Sequence, residues 1–428
     1  MTDETVASLY TQSIAPDQVF IDKHDRNILR PLAEKLAKLA AQPIEQEKKD
    51  LWYRHNALEE TRPMIFCDPE NGWNEIVPKE QIKCRGKLAQ QWEMLLRKEI
   101  FWGQSMGDDK VVEASFHVGY VYTESNWGMQ EKNVRSAAHG SYRWEPPLKD
   151  YADLDKLHFP KITVDYESSD KLLKLAQSTF GNILMVQRQG IWWWTLGMTW
   201  TLIKLRGFTQ FMMDMHDHPD ELHQLMEILR DGHLDKLDFL EENGLLSMNN
   251  DNTYVGSGGF GFTNELPQQD RNGEHVRTID MWGFCDSQET VSVSPEMFEE
   301  FIFPYQLPIL KRFGLNCYGC CEGLDRRWHV IKRYPNLRRI SVSAWANLEK
   351  MAEYLGADYI LSYKPLPTDL AAKHIDEAKI RKYLRRALEI TKHCRVEVIM
   401  KDNHTLGNNP QNVIDWCRIA RQEVDRLK

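Results

Sequence analysis

From about residue 111 the chain alternates short β-branched or apolar runs with amphipathic helices, and this alternation limits the fold more than any other feature. The runs are VVEASFHV (111–118), NILMVQ (182–187), LLSMNN (245–250), TIDMWGF (278–284), LNCYGC (315–320), RRISVSA (338–344), DYILSY (358–363) and VEVIM (396–400). Between them, PEMFEEFIFPYQLPILKRFG follows Ser294 and stops at Gly314, NLEKMAEYLG runs from an Asn347 cap to a Gly356 stop, and EAKIRKYLRRALEITKH reads as one more helix. Eight strands with intervening helices predict an α/β chain, a (β/α)8 TIM barrel over 111–428. A doubly wound sheet is the competitor, but no Gly-x-Gly-x-x-Gly follows a strand, and the stretch after GSGGFG (256–261) does not open a helix. Residues 1–110 read as an N-terminal helical extension, NILRPLAEKLAKLAAQ and KLAQQWEMLLRKEIFWG, with a loop-rich link between the two helices.

The chain has 428 residues, 42% of them hydrophobic and 11% aromatic, enough for a large core. A net charge of −9 with no basic run argues against nucleic-acid binding. MTDETVASLY lacks the features of an export signal, and the most apolar stretch is broken by Gln187, Arg188 and Gln189, so a cytoplasmic enzyme with no membrane span is expected. Eight cysteines in such a chain read as reduced thiols.

In a barrel of this kind the working residues stand at the C-terminal ends of the strands. Those ends are unusually polar here, and NCYGCCEG (316–323) is the sharpest signal. Cys320 and Glu322 share a strand phase, with Cys321 opposite unless the chain has already turned. Thiolate, imidazole and carboxylate are standard zinc ligands, so Cys320, Cys321, Glu322 and His404 are the candidate metal set. Alternatively, the cysteines are small buried hydrophobes and Glu322 caps a helix. KDNHTLG (401–407) contains Asp-x-His-x-x-Gly, the spacing of a cobalamin-anchoring histidine, but too little sequence follows to wrap the cofactor's nucleotide tail. The segment therefore reads as a strand end in which Asp402 orients His404 or a substrate. Glu322, Asp402 and His404 are the catalytic candidates. Gln187, Gln189, Trp192, Trp193, Asn252, Gln288, Tyr318 and Lys401 are the substrate-binding candidates, with GIWWWTLGMTW (190–200) as an aromatic wall.

SVSPEMFEEFIFPYQLPILKRFG, YGCCEG, ISVSAWANLEKMAEYLGADYILSYKPLP and KDNHTLGNNPQNVIDW together resemble the uroporphyrinogen decarboxylase-like superfamily of (β/α)8 barrels. The resemblance covers roughly 110–428. It implies one of two activities: cofactor-independent decarboxylation of porphyrinogens, or zinc-dependent methyl transfer to or from a separate corrinoid protein. The decarboxylases carry an arginine-rich N-terminal segment that clamps substrate carboxylates; TRPMIFCDPENGW (61–73) keeps Arg62 but not the later arginines. The methyltransferases carry His-x-Cys after one strand and Cys near the last. Cys320 matches, Tyr318 replaces the histidine and His404 is offset from the second cysteine. The resemblance thus implies methyl transfer between a small methylated compound, an aryl methyl ether if the tryptophans line the pocket, and cob(I)alamin or methylcobalamin on a partner protein. Zinc would be the resident metal, and a homodimer is one expectation for assembly.

Overall fold

In the computed structural model, residues 18–130, 132–135, 142–273 and 275–427 are described. Among them eight short strands pair in parallel: β1 Met64–Cys67, β2 Ser115–Val118, β3 Met185–Arg188, β4 Trp282–Cys285, β5 Leu315–Tyr318, β6 Leu337–Val342, β7 Ile360–Tyr363 and β8 Arg395–Met400. Six form one sheet in the order β1-β8-β7-β6-β5-β4, and β2 pairs with β3. Two further pairs are antiparallel, Val121–Glu124 with Ile162–Asp165 and Lys132–Arg135 with Tyr142–Glu145. The architecture is mixed α/β, with helices following most of the parallel strands.

Two differences from the sequence reading concern which segments become strands. The link expected to be all loop supplies β1, because MIFC is an apolar run buried at every position against β8. Residues 245–250 were expected to be a strand and have no strand hydrogen bonds. Instead the Asn249 amide takes the Trp282 N–H (2.9 Å) and donates to the Trp282 carbonyl (3.0 Å), standing in for a strand neighbour beside β4. Gly190, just past β3, donates to Ser247 Oγ at 2.9 Å. On the far side of β2, the Asp109 N–H donates to the Ile65 carbonyl at 2.8 Å. These contacts link the two parallel groups at both of their borders.

The helices follow local chemistry. α1 Lys23–Ala40 is capped by Asp22, whose carboxylate accepts the Asp25 N–H; α2 is Pro43–Asn56 and α3 Lys87–Phe101. The helix expected after Ser294 is interrupted at Ile302, giving α4 Pro295–Phe301 and α5 Phe303–Leu310. Pro304 has no N–H for the ladder and its ring crowds the carbonyl four residues back, which breaks the turn. α6 Leu348–Leu355 starts on the Asn347 side chain and ends at Gly356 (φ 46°), as its sequence predicts. α7 Glu377–Ile390 and α8 Gln411–Asp425 close the chain. Among the described residues, no helix is long and apolar enough to cross a membrane.

The interior between the strands is polar at its floor. Arg339 Nε donates to Glu397 Oε1 at 3.0 Å, and His55 Nε2 lies 3.4 Å from the other carboxylate oxygen, all fully buried. Burial alone would raise Glu397, but Arg339 and His55 hold it at about 2.

Candidate functional site

Strand parity explains how β5 delivers its cysteine. Asn316 and Tyr318 face the helices: Asn316 donates to the Leu310 carbonyl and the Tyr318 hydroxyl to Gln306 Oε1 on α5. Cys317 faces inward, where its sulfur lies 3.8 Å from Arg339. Gly319 then adopts φ +88°, and this left-handed turn brings Cys320 inward, a phase ahead of regular alternation. Tyr318, expected to line the substrate site, therefore lies on the helix side.

Around Cys320 the geometry is specific. Ser257 Oγ donates to its sulfur at 3.3 Å, Lys401 Nζ is 3.7 Å away, and Cys321 Sγ is 3.6 Å away. Cys321 is exposed, and its S–H lies between Cys320 and Asp402 Oδ2, 3.6 Å from the carboxylate. Lys401 closes the ring, 3.3 Å from Asp402 Oδ1 and 3.2 Å from Ser257 Oγ. The Cys321 hydrogen bond, aided by the Lys401 ammonium and opposed by burial, lowers the Cys320 thiol to about 7. Lys401 is pushed well above its ordinary value: burial works against the charge, but Cys320, Tyr254 and Asp402 outweigh it.

Ser257 belongs to the glycine-rich loop that the sequence reading set aside as no phosphate site. Gly256, Gly258 and Gly259 all have positive φ, and a Cβ on them would sit 2.7 Å from Cys317 Cβ, 2.5 Å from Ile399 Cγ2 and 2.9 Å from Arg339, respectively. The loop is packed against the inner side chains of β5, β6 and β8, which only glycine permits. Its sequence signal was the cluster of glycines itself, read for phosphate binding rather than for close backbone approach.

On the opposite flank, Glu70 lies past β1 and Asp402 past β8. Both have positive φ, 47° and 61°, and the Asp402 N–H donates to Glu70 Oε1 at 3.0 Å. Burial, then the neighbouring Asp68, raises Glu70 to about 8.

The four zinc ligands expected from the sequence do not meet. Both Glu322 oxygens accept backbone N–H groups, from Ser287 at 2.9 Å and Cys320 at 2.8 Å. His404 is exposed, its Nδ1 3.4 Å from Asn71 Nδ2. The donors that do approach one another are Cys320, Cys321 and Asp402. Ligands on one tetrahedral zinc, with bonds of about 2.0–2.3 Å, are roughly 3.3–3.8 Å apart, and both consecutive separations here, 3.6 Å, have that length. The three form an open row: among the described residues, Asp22, His24 and Asp25 are the one trio whose ligand atoms all lie within 4.8 Å. Lys401 spans the open side, so the donor types suit zinc, while Cys320 and Asp402, more than 4.8 Å apart at the ends of the row, would have to close on the ion.

The remaining candidates are dispersed. Gln189 is buried and donates to Thr253 Oγ1, whereas Gln187 on β3 is exposed. Asn252 donates to the Val111 carbonyl and leaves its Oδ1 unpartnered. Gln288 lies half-buried in a short 3-10 turn, Gln288–Thr290. The Trp192 N–H is spent on the Leu245 carbonyl, its ring packed on Tyr120 and Tyr122; Trp193 packs on Phe313. The tryptophan that reaches the site is Trp194, which shares an apolar cluster with Cys320 and Phe284 and lies 5.7 Å beneath Lys401 Nζ. Its position two residues beyond Trp192 is not distinguishable from sequence spacing alone.

No protein-family model matches the chain, and no curated protein matches it. Among solved structures it is similar to a methyltransferase from Methanosarcina mazei, with 12% identity over 89% of this chain and 98% of that one and a TM-score of 0.48. At that distance the likeness carries no assignment of activity to this chain.

Proposed function

We propose that the chain is a methyl-transferring enzyme, related to the uroporphyrinogen decarboxylase-like superfamily, that exchanges a methyl group between a small methylated compound and a separate corrinoid protein. In this reading the eight parallel strands close as a (β/α)8 barrel and the reaction takes place over their C-terminal ends. The observation that carries the reading is Cys320, a buried thiol at the end of β5 lowered to about 7. A soft, ionisable sulfur held beside a fixed ammonium suits an exchange in which a heteroatom gains or loses electron density.

Zinc would be held by Cys320, Cys321 and Asp402, and would supply Lewis-acid polarisation of the methylated heteroatom. The chain's own residues do the rest. Lys401 keeps a positive charge within 3.7 Å of Cys320 and 3.3 Å of Asp402, which favours the thiolate and the carboxylate against their burial. Glu322 fixes the turn by holding the Cys320 and Ser287 N–H groups. Ser257 aims its hydroxyl at Cys320 and limits the rotamers the thiol can take.

The cofactor-free decarboxylase reading is weaker because Arg62, its remaining clamp residue, donates two hydrogen bonds to Asp109 (2.8 and 2.6 Å) and is committed there. The test is incubation with cob(I)alamin and a panel of O-, N- and S-methyl compounds. Methylcobalamin formation is the expected result; loss of carbon dioxide from a carboxylated tetrapyrrole, with no methyl transfer from any donor, would move the protein to the decarboxylase class.

A further inference from the structure

Asp286, directly after β4, is 2% exposed, and its two carboxylate oxygens are treated differently. Oδ1 accepts the Thr195 hydroxyl at 2.7 Å, whereas Oδ2 is buried with no partner. The residue is held rigidly: Gln306 Nε2 donates to its carbonyl at 2.9 Å, and a Cβ on Gly197 would stand 2.3 Å from that same oxygen. Next to Thr195, Trp194 is also buried and its indole N–H is also unpartnered. A buried polar atom without a partner forfeits its hydration, and among the described residues the fold offers Asp286 Oδ2 no donor.

The charge around Asp286 indicates what is missing. Burial first, and then the negative neighbours Glu289, Glu322 and Cys320, push the Asp286 carboxyl well above the usual carboxylate range, so its charge is favoured only beside a cation. Glu289 is tied to the Thr199 hydroxyl at 2.6 Å rather than to a cation. Arg327, the basic residue near Glu322, spends its guanidinium on the Val293 and Thr290 carbonyls and the Thr290 hydroxyl. Lys401 is engaged by Cys320, Ser257 and Asp402. Glu322 spends both oxygens on backbone N–H groups and Glu289 one on the Thr199 hydroxyl, which leaves Asp286 Oδ2 as the carboxylate oxygen without a partner. An organic cation needs one carboxylate and an apolar surround, and Phe284, two residues before Asp286, and Trp194, beside Thr195, belong with Met248 to the apolar cluster that also contains Cys320.

We propose that Asp286 is the recognition residue for a positively charged nitrogen, and that the methylated compound is a methylammonium rather than an aryl ether. This rests on the methyl-transfer reading, since it names the substrate class of that same site. The acceptor Oδ2 pairs with the ammonium, Thr195 fixes the carboxylate, and the methyl groups lie in the apolar cluster on the Cys320 side.

The test is calorimetric titration of the full-length protein with trimethylammonium chloride, with its neutral isostere tert-butanol and with anisole. Binding of trimethylammonium, tenfold or more tighter than tert-butanol and weakened at least tenfold in Asp286→Asn, is the expected result. Equal binding of tert-butanol to the unaltered protein, preferential binding of anisole, or unchanged ammonium affinity in Asp286→Asn overturns the inference. Because the comparison of ligands uses the unaltered protein, it stands even if the variant does not fold. Cation binding without any methyl transfer to cob(I)alamin would contradict the proposed reaction alone; methyl transfer from anisole without cation binding would contradict the substrate class alone.

Discussion

Lys401 Nζ stands 3.7 Å from Cys320 Sγ, both side chains buried, one from the residue after β8 and the other from the turn after β5. The pair makes a thiolate accessible near neutral pH. In metal-stripped protein, alkylation mapped at Cys320 should reach half its maximal rate near pH 7. Replacing Lys401 with Met removes a charge that favours the thiolate, so the midpoint should move upward and the rate at pH 7 should fall about fivefold or more. An unchanged midpoint would mean the ammonium has no part in activating the sulfur.

Gly258→Ala tests the packed glycine loop. The new Cβ would lie 2.5 Å from Ile399 Cγ2 at a backbone φ of +131°. Strain and overpacking should destabilise the protein by about 1–3 kcal/mol, read as a lower midpoint of denaturant unfolding. The displaced loop should also withdraw Ser257 and alter Cys320 alkylation. A variant with unaltered stability would show that the loop is not held against β8.

Asp109 ties the segment at the start of β1 to α8. Its carboxylate accepts Arg62 twice, Arg421 at 2.6 Å and the Ile65 N–H at 2.7 Å. Asp109→Asn leaves two guanidinium groups short of a counter-charge and should cost about 3–5 kcal/mol. Burial would raise Asp109, but Arg62 and Arg421 hold it below the usual carboxylate range. Its contribution is therefore full above its unfolded value near 4 and is lost as pH falls through the lowered folded value. Acid unfolding curves of the two proteins should converge below that range, and parallel curves would contradict the assignment.

Asn249→Ala removes a side chain that satisfies both backbone groups of Trp282. Leaving them unpaired at the edge of β4 should cost about 1–3 kcal/mol, with the loss of amide protection confined to β4 and its neighbours in hydrogen exchange. Substitution by Asp, which keeps the acceptor, should recover part of it.

The alternation of apolar runs and amphipathic helices was enough to locate seven of the parallel strands, since a strand buried on both faces is a short apolar run whatever its neighbours. β1 was hidden because MIFC sits among proline, asparagine and glycine, and its strand conformation comes from pairing with β8, more than 300 residues away in the sequence. The 245–250 run has strand composition, yet its role is played by one amide side chain, which periodicity does not reveal. At the site, Cys320, Cys321, Asp402 and Lys401 were legible as polar residues at strand ends. The turn at Gly319, the capture of Glu322 by backbone N–H groups and the exposure of His404 depend on three-dimensional phase. Ser257 was set aside with its glycine loop, Trp194 was legible only as one member of the aromatic wall and Asp286 only as one of many polar strand ends, because each acts through a neighbour brought close only by the fold.

The donor row at Cys320 is tested most directly by zinc content, measured by plasma emission on protein purified under reducing conditions, for the unaltered chain and single variants. The account predicts about one zinc per chain, lost in Cys320→Ser and Cys321→Ser, reduced in Asp402→Asn and retained in His404→Ala. Zinc retained in Cys320→Ser, or lost in His404→Ala while the cysteine variants keep it, would contradict it.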